Sequence, residues 1–380
     1  VKTRLAVAVA ALVLIGAGCS SSAKSSNGTT ATTVAGQGGD PAYAKAGPYA
    51  VGYTTLHLPD RDVAVWYPTD AASIAGKKKA TYDQTAPLPA NLKGIVPPQY
   101  NTVVTMNAYQ DVPSSTKGPF PVLLFSHGAG GYDLVYSALT AGIASWGFVV
   151  VSADYKEYGL AAQVTGAKYP RDPNKGKDVM LASLDLVEKA SGDASSVLHG
   201  SVNPNEVAAA GHSAGGNTAF NALNDPRVKV AIGWAPVAPT GAPANKPTMI
   251  IGTPGDTALT PATLTQEYTS FPAPKRFFEI GNANDTGHNL FTDICVVIRG
   301  GGGLVSFAVS HHLVSQQLVG LATNGCAKTD LDPTTFWPIV QHLTVAELRS
   351  TFGIDPQPVG LGDAITTAFP PIPIQYQHTP

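Results

Sequence analysis

The chain has 380 residues, 44% of them hydrophobic and 13% charged, with a formal net charge of −2. This is the balance of a globular chain with a near-neutral surface, and it excludes the basic field that attracts nucleic acid. The length allows one large domain or two small ones, and continuous strand and helix alternation over about residues 50–350 favours one.

Lys2 and Arg4 precede an uncharged, mostly apolar run from Leu5 to Gly18. The run is too short to span a bilayer and has the size of a signal core, so residues 1–18 are expected to be a signal peptide. Gly16-Ala17-Gly18-Cys19 brings small residues up to a cysteine and resembles the lipobox of bacterial lipoproteins, with Gly16 where Leu or Val is usual. That resemblance implies lipidation of Cys19; secretion with an incidental cysteine is the alternative. Residues 20–40 are a Ser/Thr/Gly tract with almost nothing to bury, and ordering it would cost entropy without apolar burial in return. Residues 19–45 therefore read as a lipidated flexible tether, which would hold a domain on the order of 25 Å from the membrane.

The fold is expected to begin near Tyr49. Val51 to Leu58 and Asp62 to Pro68 are β-branched and aromatic runs around a Pro-Asp-Arg-Asp turn, which predicts an antiparallel hairpin. Residues 69–118 are rich in proline and polar residues and show no sustained period. The lysine run Lys77 to Lys79 reads as a solvated loop, and the whole stretch as a long irregular insertion able to serve as a binding element.

From Phe120 the pattern turns regular. Apolar runs at Val122–Phe125, Phe148–Ser152, Val207–Ala210, Val228–Trp234, Thr248–Gly252 and Arg276–Ile280 read as buried strands. Helical segments are expected at about Leu134–Ser145 and Lys177–Leu198. Such alternation implies a largely parallel sheet covered on both faces, with sites beyond the carboxyl ends of its strands. The domain is placed at residues 46–360, with 361–380 as a C-terminal tail.

The chemically suggestive residues fall at those strand ends. Val207 to Ala210 runs into Gly211-His212-Ser213-Ala214-Gly215, and small residues then open a helix. A strand, a sharp glycine-flanked turn and a helix lift a serine above a sheet, which makes Ser213 the candidate nucleophile. A serine hydroxyl needs a base to take its proton, and the base needs an orienting acid. Asp256 follows the strand TMIIG in GTPGDTALTP, and His288 follows RFFEI in GNANDTGHNLFTD. The order serine, acid, histidine is the one expected of α/β-hydrolases. Asp285 and Asp293 are rival acids on the histidine's own loop. His127, His212, His311 and His312 are rival bases; His212 should point away from the nucleophile, and His311 and His312 read as surface or packing residues. The oxyanion formed on acylation needs preset donors. Ala214 N–H is one, and the other is expected from the SHGAGG loop, for which Ala129 N–H is chosen.

PVLLFSHGAGG, GHSAGGNTAF, the Asp in GTPGDTALTP and the His in DTGHNLFTD together resemble the serine-type, dienelactone-hydrolase-like α/β-hydrolases. The likeness is greatest to the platelet-activating-factor-acetylhydrolase-like esterases, whose early strand DVAVWYP also resembles, and more distant to cutinase-type polyesterases. It covers roughly residues 50–320 and implies an α/β-hydrolase fold with a mostly parallel eight-stranded sheet and helices on both faces. It further implies an acyl-enzyme mechanism on carboxylic esters, with Ser213, Asp256 and His288 as triad. Dienelactone hydrolases carry a cysteine where this chain has Ser213, which argues against that activity. Polyesterases carry an aromatic where Ala129 stands and place differently the tryptophan that is Trp234 here, which makes polyester the less favoured substrate.

Between Ile232 and Thr248 the chain is too short for a helical lid, which favours an open cleft and short or soluble acyl groups. No metal, dinucleotide or phosphate-loop motif appears, so no cofactor is implied. Cys295 and Cys326 admit one intramolecular pairing, and export makes a disulfide chemically reasonable; it would stabilise by about 3–4 kcal/mol. Two buried free thiols are the alternative. The expectation is a monomeric serine esterase with a small-molecule or lipid-like ester substrate and no nucleic-acid partner, held outside the cytoplasmic membrane by its lipid anchor, or secreted. A non-catalytic surface lipoprotein that binds a ligand in the hydrolase pocket is the reading of a different class.

Overall fold

The computed structural model describes residues 39–169, 172, 174–311 and 316–380. The expected signal peptide, Cys19 and most of the expected tether lie outside the described residues, as does His312.

Strands β1 (Ala50–Leu58) and β2 (Arg61–Thr69) pair antiparallel with Leu58 opposite Arg61, the hairpin expected from their β-branched and aromatic residues. They are followed by β3 (Lys79–Asp83), β4 (Val103–Gln110), β5 (Phe120–Ser126), β6 (Val149–Ala153), β7 (Val202–His212) and β8 (Val228–Trp234). The last three are β9 (Thr248–Gly252), β10 (Lys275–Ile280) and β11 (Ile374–Thr379). All join one sheet in the order β11-β10-β9-β8-β7-β5-β6-β2-β1-β4-β3. Its middle, from β6 to β10, is parallel throughout.

The sheet has eleven strands, where eight are expected from the sequence. The eight expected strands are all present, and the surplus is β3, β4 and β11. In β4 only Met106 and Ala108 are fully buried, between exposed Val103, Thr105 and Asn107. A half-buried edge strand carries so weak an alternation that flanking prolines hide it. Lys79, read as part of a solvated loop, is the first residue of β3, the outermost strand, where a charged side chain discourages further pairing. Residues 361–380, expected as a tail, supply β11, which pairs antiparallel with β10 and buries only Ile374.

The helices are α1 (Ala90–Lys93), α2 (Ser137–Ala144), α3 (Leu160–Thr165), α4 (Lys175–Gly192) and α5 (Ala214–Ala222). They continue as α6 (Pro261–Ser270), α7 (Ile294–Arg299), α8 (Gly303–Ser310), α9 (Gln316–Thr323) and α10 (Pro333–Thr351). Along β5, Leu123 and Phe125 pack with Leu139 of α2 and Phe336 and Leu343 of α10 on one face. Val122 and Leu124 pack with Leu184 of α4, Phe220 of α5 and Leu264 of α6 on the other. Burial on both faces is why the central strands read as unbroken apolar runs.

Ser126 at the end of β5 is in register with Gly211 near the end of β7. The SHGAGG loop and the turn carrying Ser213 therefore leave the sheet side by side. The loops that follow β9 and β10 carry Asp256 and His288 to the same end.

Candidate active site

Ser213 joins β7 directly to α5 and holds φ 53° and ψ −120°, a conformation strained for a residue with a Cβ. The turn is fixed from three sides. Ser213 N–H donates to Trp234 C=O at 3.0 Å, and Ser213 C=O accepts from Gly216 N–H at 2.9 Å and Val237 N–H at 2.8 Å. A Cβ on Gly211 would strike the carbonyl of Gly215, and one on Gly215 the carbonyl of Ser126, so both flanking glycines are needed for the backbone's close approach. The Ser213 side chain makes no hydrogen bond among the described residues.

Asp256 and His288 meet, with Asp256 Oδ2 2.7 Å from His288 Nδ1 and both side chains buried. The other oxygen of Asp256 accepts the N–H groups of Ala258 and Leu259, each at 2.8 Å. A carboxylate only accepts, so His288 Nδ1 is the donor of this bond. The rival acids are engaged elsewhere. Asp285 closes a turn with Asn282 through its backbone N–H and Nδ2. Asp293 accepts from Ser137 N–H at 2.9 Å at the start of α2 and from Tyr82 Oη at 3.2 Å; burial raises its carboxyl to a pKa of about 6.

The SHGAGG loop is pinned to the segment that follows β6 and by one bond of its own. Gly130 N–H donates to Tyr158 C=O at 2.8 Å, and His127 donates from Nδ1 to Gly128 C=O at 2.9 Å while its Nε2 accepts Tyr155 N–H at 2.9 Å. Neither Ala129 N–H nor Ala214 N–H donates to a protein acceptor among the described residues. Both stay available to an anion beside the elbow.

His212, expected to point away from the nucleophile, lies against the histidine loop. Its ring is buried 4.6 Å, centre to centre, from that of His288. His212 Nε2 donates to His288 C=O at 3.0 Å, and its Nδ1 accepts from Tyr136 Oη at 2.8 Å, which in turn accepts Gly128 N–H at 3.2 Å. Burial holds His212 well below the usual histidine range, so the ring is neutral and this single proton arrangement is kept. Spacing alone could not reveal the relay, because Tyr136 lies 76 residues from His212. Cys295 and Cys326 form a disulfide with Cα atoms 4.6 Å apart.

The family model described as platelet-activating factor acetylhydrolase, isoform II, matches residues 45–181. That span includes DVAVWYP and the SHGAGG loop and ends before Ser213. The platelet-activating factor acetylhydrolase of Canis lupus familiaris is 25% identical over 159 residues, covering 32% of this chain and 36% of that protein. The chain thus spans about a third of that relative's length. A ferulic acid esterase from Streptomyces cinnamoneus superposes with a TM-score of 0.59 at 19% identity, over 86% of this chain and 97% of the other. Residues 45–181 are thus similar to an acetylhydrolase family, and the described residues share the fold of a solved esterase. No three or more His, Cys, Asp or Glu side chains among the described residues are arranged to hold a metal ion.

Proposed function

We propose that the protein is a serine carboxylic-ester hydrolase working through an acyl-Ser213 intermediate. The observation that carries the proposal is the Asp256–His288 contact of 2.7 Å beside a serine held at positive φ between strand and helix. Asp256 fixes the imidazole so that Nε2 takes the Ser213 proton as Oγ attacks the ester carbonyl, and the same nitrogen returns it to the leaving alcohol. Ala129 and Ala214 N–H receive the negative charge on the carbonyl oxygen, each donor being worth about 10²–10³ in rate. Water then attacks the acyl-serine with His288 again as base. Hydrogen bonds of this kind commonly tighten only around a bound substrate, which accords with the unengaged Ser213 Oγ. The match to an acetylhydrolase family supports the same reaction class.

A cavity of about 230 Å³ adjoins Ala214, bounded by Tyr158, Lys175, Asn217, Thr218 and Val237. Ligand pockets commonly span about 300–1,000 Å³, so this smaller space supports short groups over long alkyl chains. Lipidation of Cys19 and a position outside the cytoplasmic membrane belong to the proposal on the sequence alone, as does a monomer.

The test is hydrolysis of p-nitrophenyl esters from acetate to palmitate by residues 36–380, with Ser213→Ala alongside. Activity that falls with chain length, and that drops by roughly 10⁴-fold or more in a folded variant, is the expected result. Full activity in Ser213→Ala removes the nucleophile assignment. A folded protein that neither hydrolyses an ester nor takes a fluorophosphonate label moves the reading to ligand binding.

A further inference from the structure

Asp256 and His288 sit on separate loops, one after β9 and one after β10, which meet where Gly255 N–H donates to Thr286 Oγ1 at 3.0 Å. Asn324, from a third segment, ties both loops again, at the residues next to the acid and at the histidine itself. Its Oδ1 accepts His288 N–H at 2.8 Å and Thr257 N–H at 3.2 Å, while its Nδ2 donates to Gly255 C=O at 3.3 Å. One carboxamide thus touches the residues on both sides of the acid and the main chain of the histidine. Its own C=O accepts Asn289 N–H at 2.9 Å. Only a group with two acceptor lone pairs on one atom and a donor on the other can make this set.

Asn324 is itself held in place. Gly287, before His288, and Gly325, after Asn324, pack backbone to backbone, and a Cβ on either would strike the other chain. The disulfide from Cys326 to Cys295 ties the same strand of chain to the start of α7, just past the histidine loop. The far side of the His288 peptide is fixed independently by His212 at its carbonyl. We propose that Asn324 is a positioning residue for the Asp256–His288 pair, clamping the two loops so that the imidazole keeps the orientation the reaction needs. The proposal rests on the esterase reading above, because its effect on turnover is defined only for that reaction. Misplacement of a reacting group by about 1 Å costs on the order of 100-fold, which bounds the expected effect.

The experiment compares the wild type with Asn324→Leu, which has nearly the same volume and no polar atoms. The readouts are kcat and KM on p-nitrophenyl acetate, the unfolding temperature, and the far-downfield proton resonance of a histidine Nδ1–H bonded to a carboxylate. The expected result is a folded variant whose kcat is lower by about 10-fold to 100-fold with KM changed less than about threefold, and whose downfield resonance is broadened or lost. A variant that merely unfolds more readily, with kcat per folded molecule and the resonance unchanged, overturns the proposal. Asn324→Ala, too small to clash, decides by the same readouts should the leucine variant not fold. If the wild type itself hydrolyses no ester, the esterase reading fails by itself. The resonance still separates the two ideas: its loss in Asn324→Leu supports the clamp and its persistence overturns it.

Discussion

Asp256 and Glu267 are both buried carboxylates on the stretch of chain between β9 and β10, and the fold treats them in opposite ways. Asp256 receives two backbone N–H groups and an imidazole N–H, so its charge is solvated by the protein. Glu267, on α6, is 5% exposed and neither side-chain oxygen has a hydrogen-bond partner among the described residues. Burial alone pushes its pKa up to about 8. The carboxyl group without partners is kept neutral and burdens the fold as pH rises, whereas the one with partners has each oxygen met by a donor. A perturbed carboxyl group is therefore no guide to the site here, and the count of donors around it is.

The sharpest way to break this comparison is Asp256→Asn. An amide cannot hold the Nδ1–H tautomer of His288, so kcat should fall by roughly 10⁴-fold, measured on p-nitrophenyl acetate with unfolding followed in parallel. A loss under tenfold would mean that Asp256 is only a turn residue capping Ala258 and Leu259.

Glu267→Gln should leave kcat untouched and show itself in stability. The folded state binds the Glu267 proton more tightly than the unfolded state does, so the wild type loses stability as pH rises from about 4.5 through about 8. The glutamine variant does not titrate, and its advantage over the wild type should grow by on the order of 4 kcal/mol between about pH 5 and pH 9. Urea unfolding at the two pH values measures it; a constant difference would show that Glu267 has found a partner for its charge.

Tyr136→Phe probes the smallest effect. The phenyl ring keeps its packing against Phe125 and Trp234, but Gly128 N–H loses its acceptor and His212 Nδ1 its donor. A fall in kcat of about tenfold with little change in KM is expected, the size of one or two buried polar groups left unpaired. Unchanged kinetics would show that the relay only packs the core.

The sequence made the parallel strands legible because strands buried on both faces carry unbroken apolar runs, as residues 122–125 of β5 and 249–251 of β9 do. It marked Ser213, Asp256 and His288 as candidates because each follows a strand end, in the order serine, acid, histidine. It hid β4, whose buried residues alternate with exposed ones inside a proline-rich insertion, and β11, whose residues are mostly polar. Asn324 and Tyr136 were out of reach for another reason. Their roles come from hydrogen bonds to backbone groups distant in sequence, Asn324 to Gly255 across 69 residues, and such bonds demand no local pattern. His212 was visible as a residue of the elbow, but the direction of its ring depends on a carbonyl that only the folded chain supplies.

The pairing of Ser126 with Gly211 carries a consequence for how such a protein changes over generations. The SHGAGG loop and the turn that carries Ser213 leave adjacent strands, and the spacing of about 4.8 Å between those strands is set by the hydrogen-bonded ladder of β5 and β7, not by the lengths of the surface segments around them. Substitutions and insertions in outlying segments, such as residues 84–102, leave that spacing alone. On the esterase reading, the chemistry is inherited with the interior while the choice of ester is free to drift with the exterior, and descendants of one scaffold can part company in diet without relearning it.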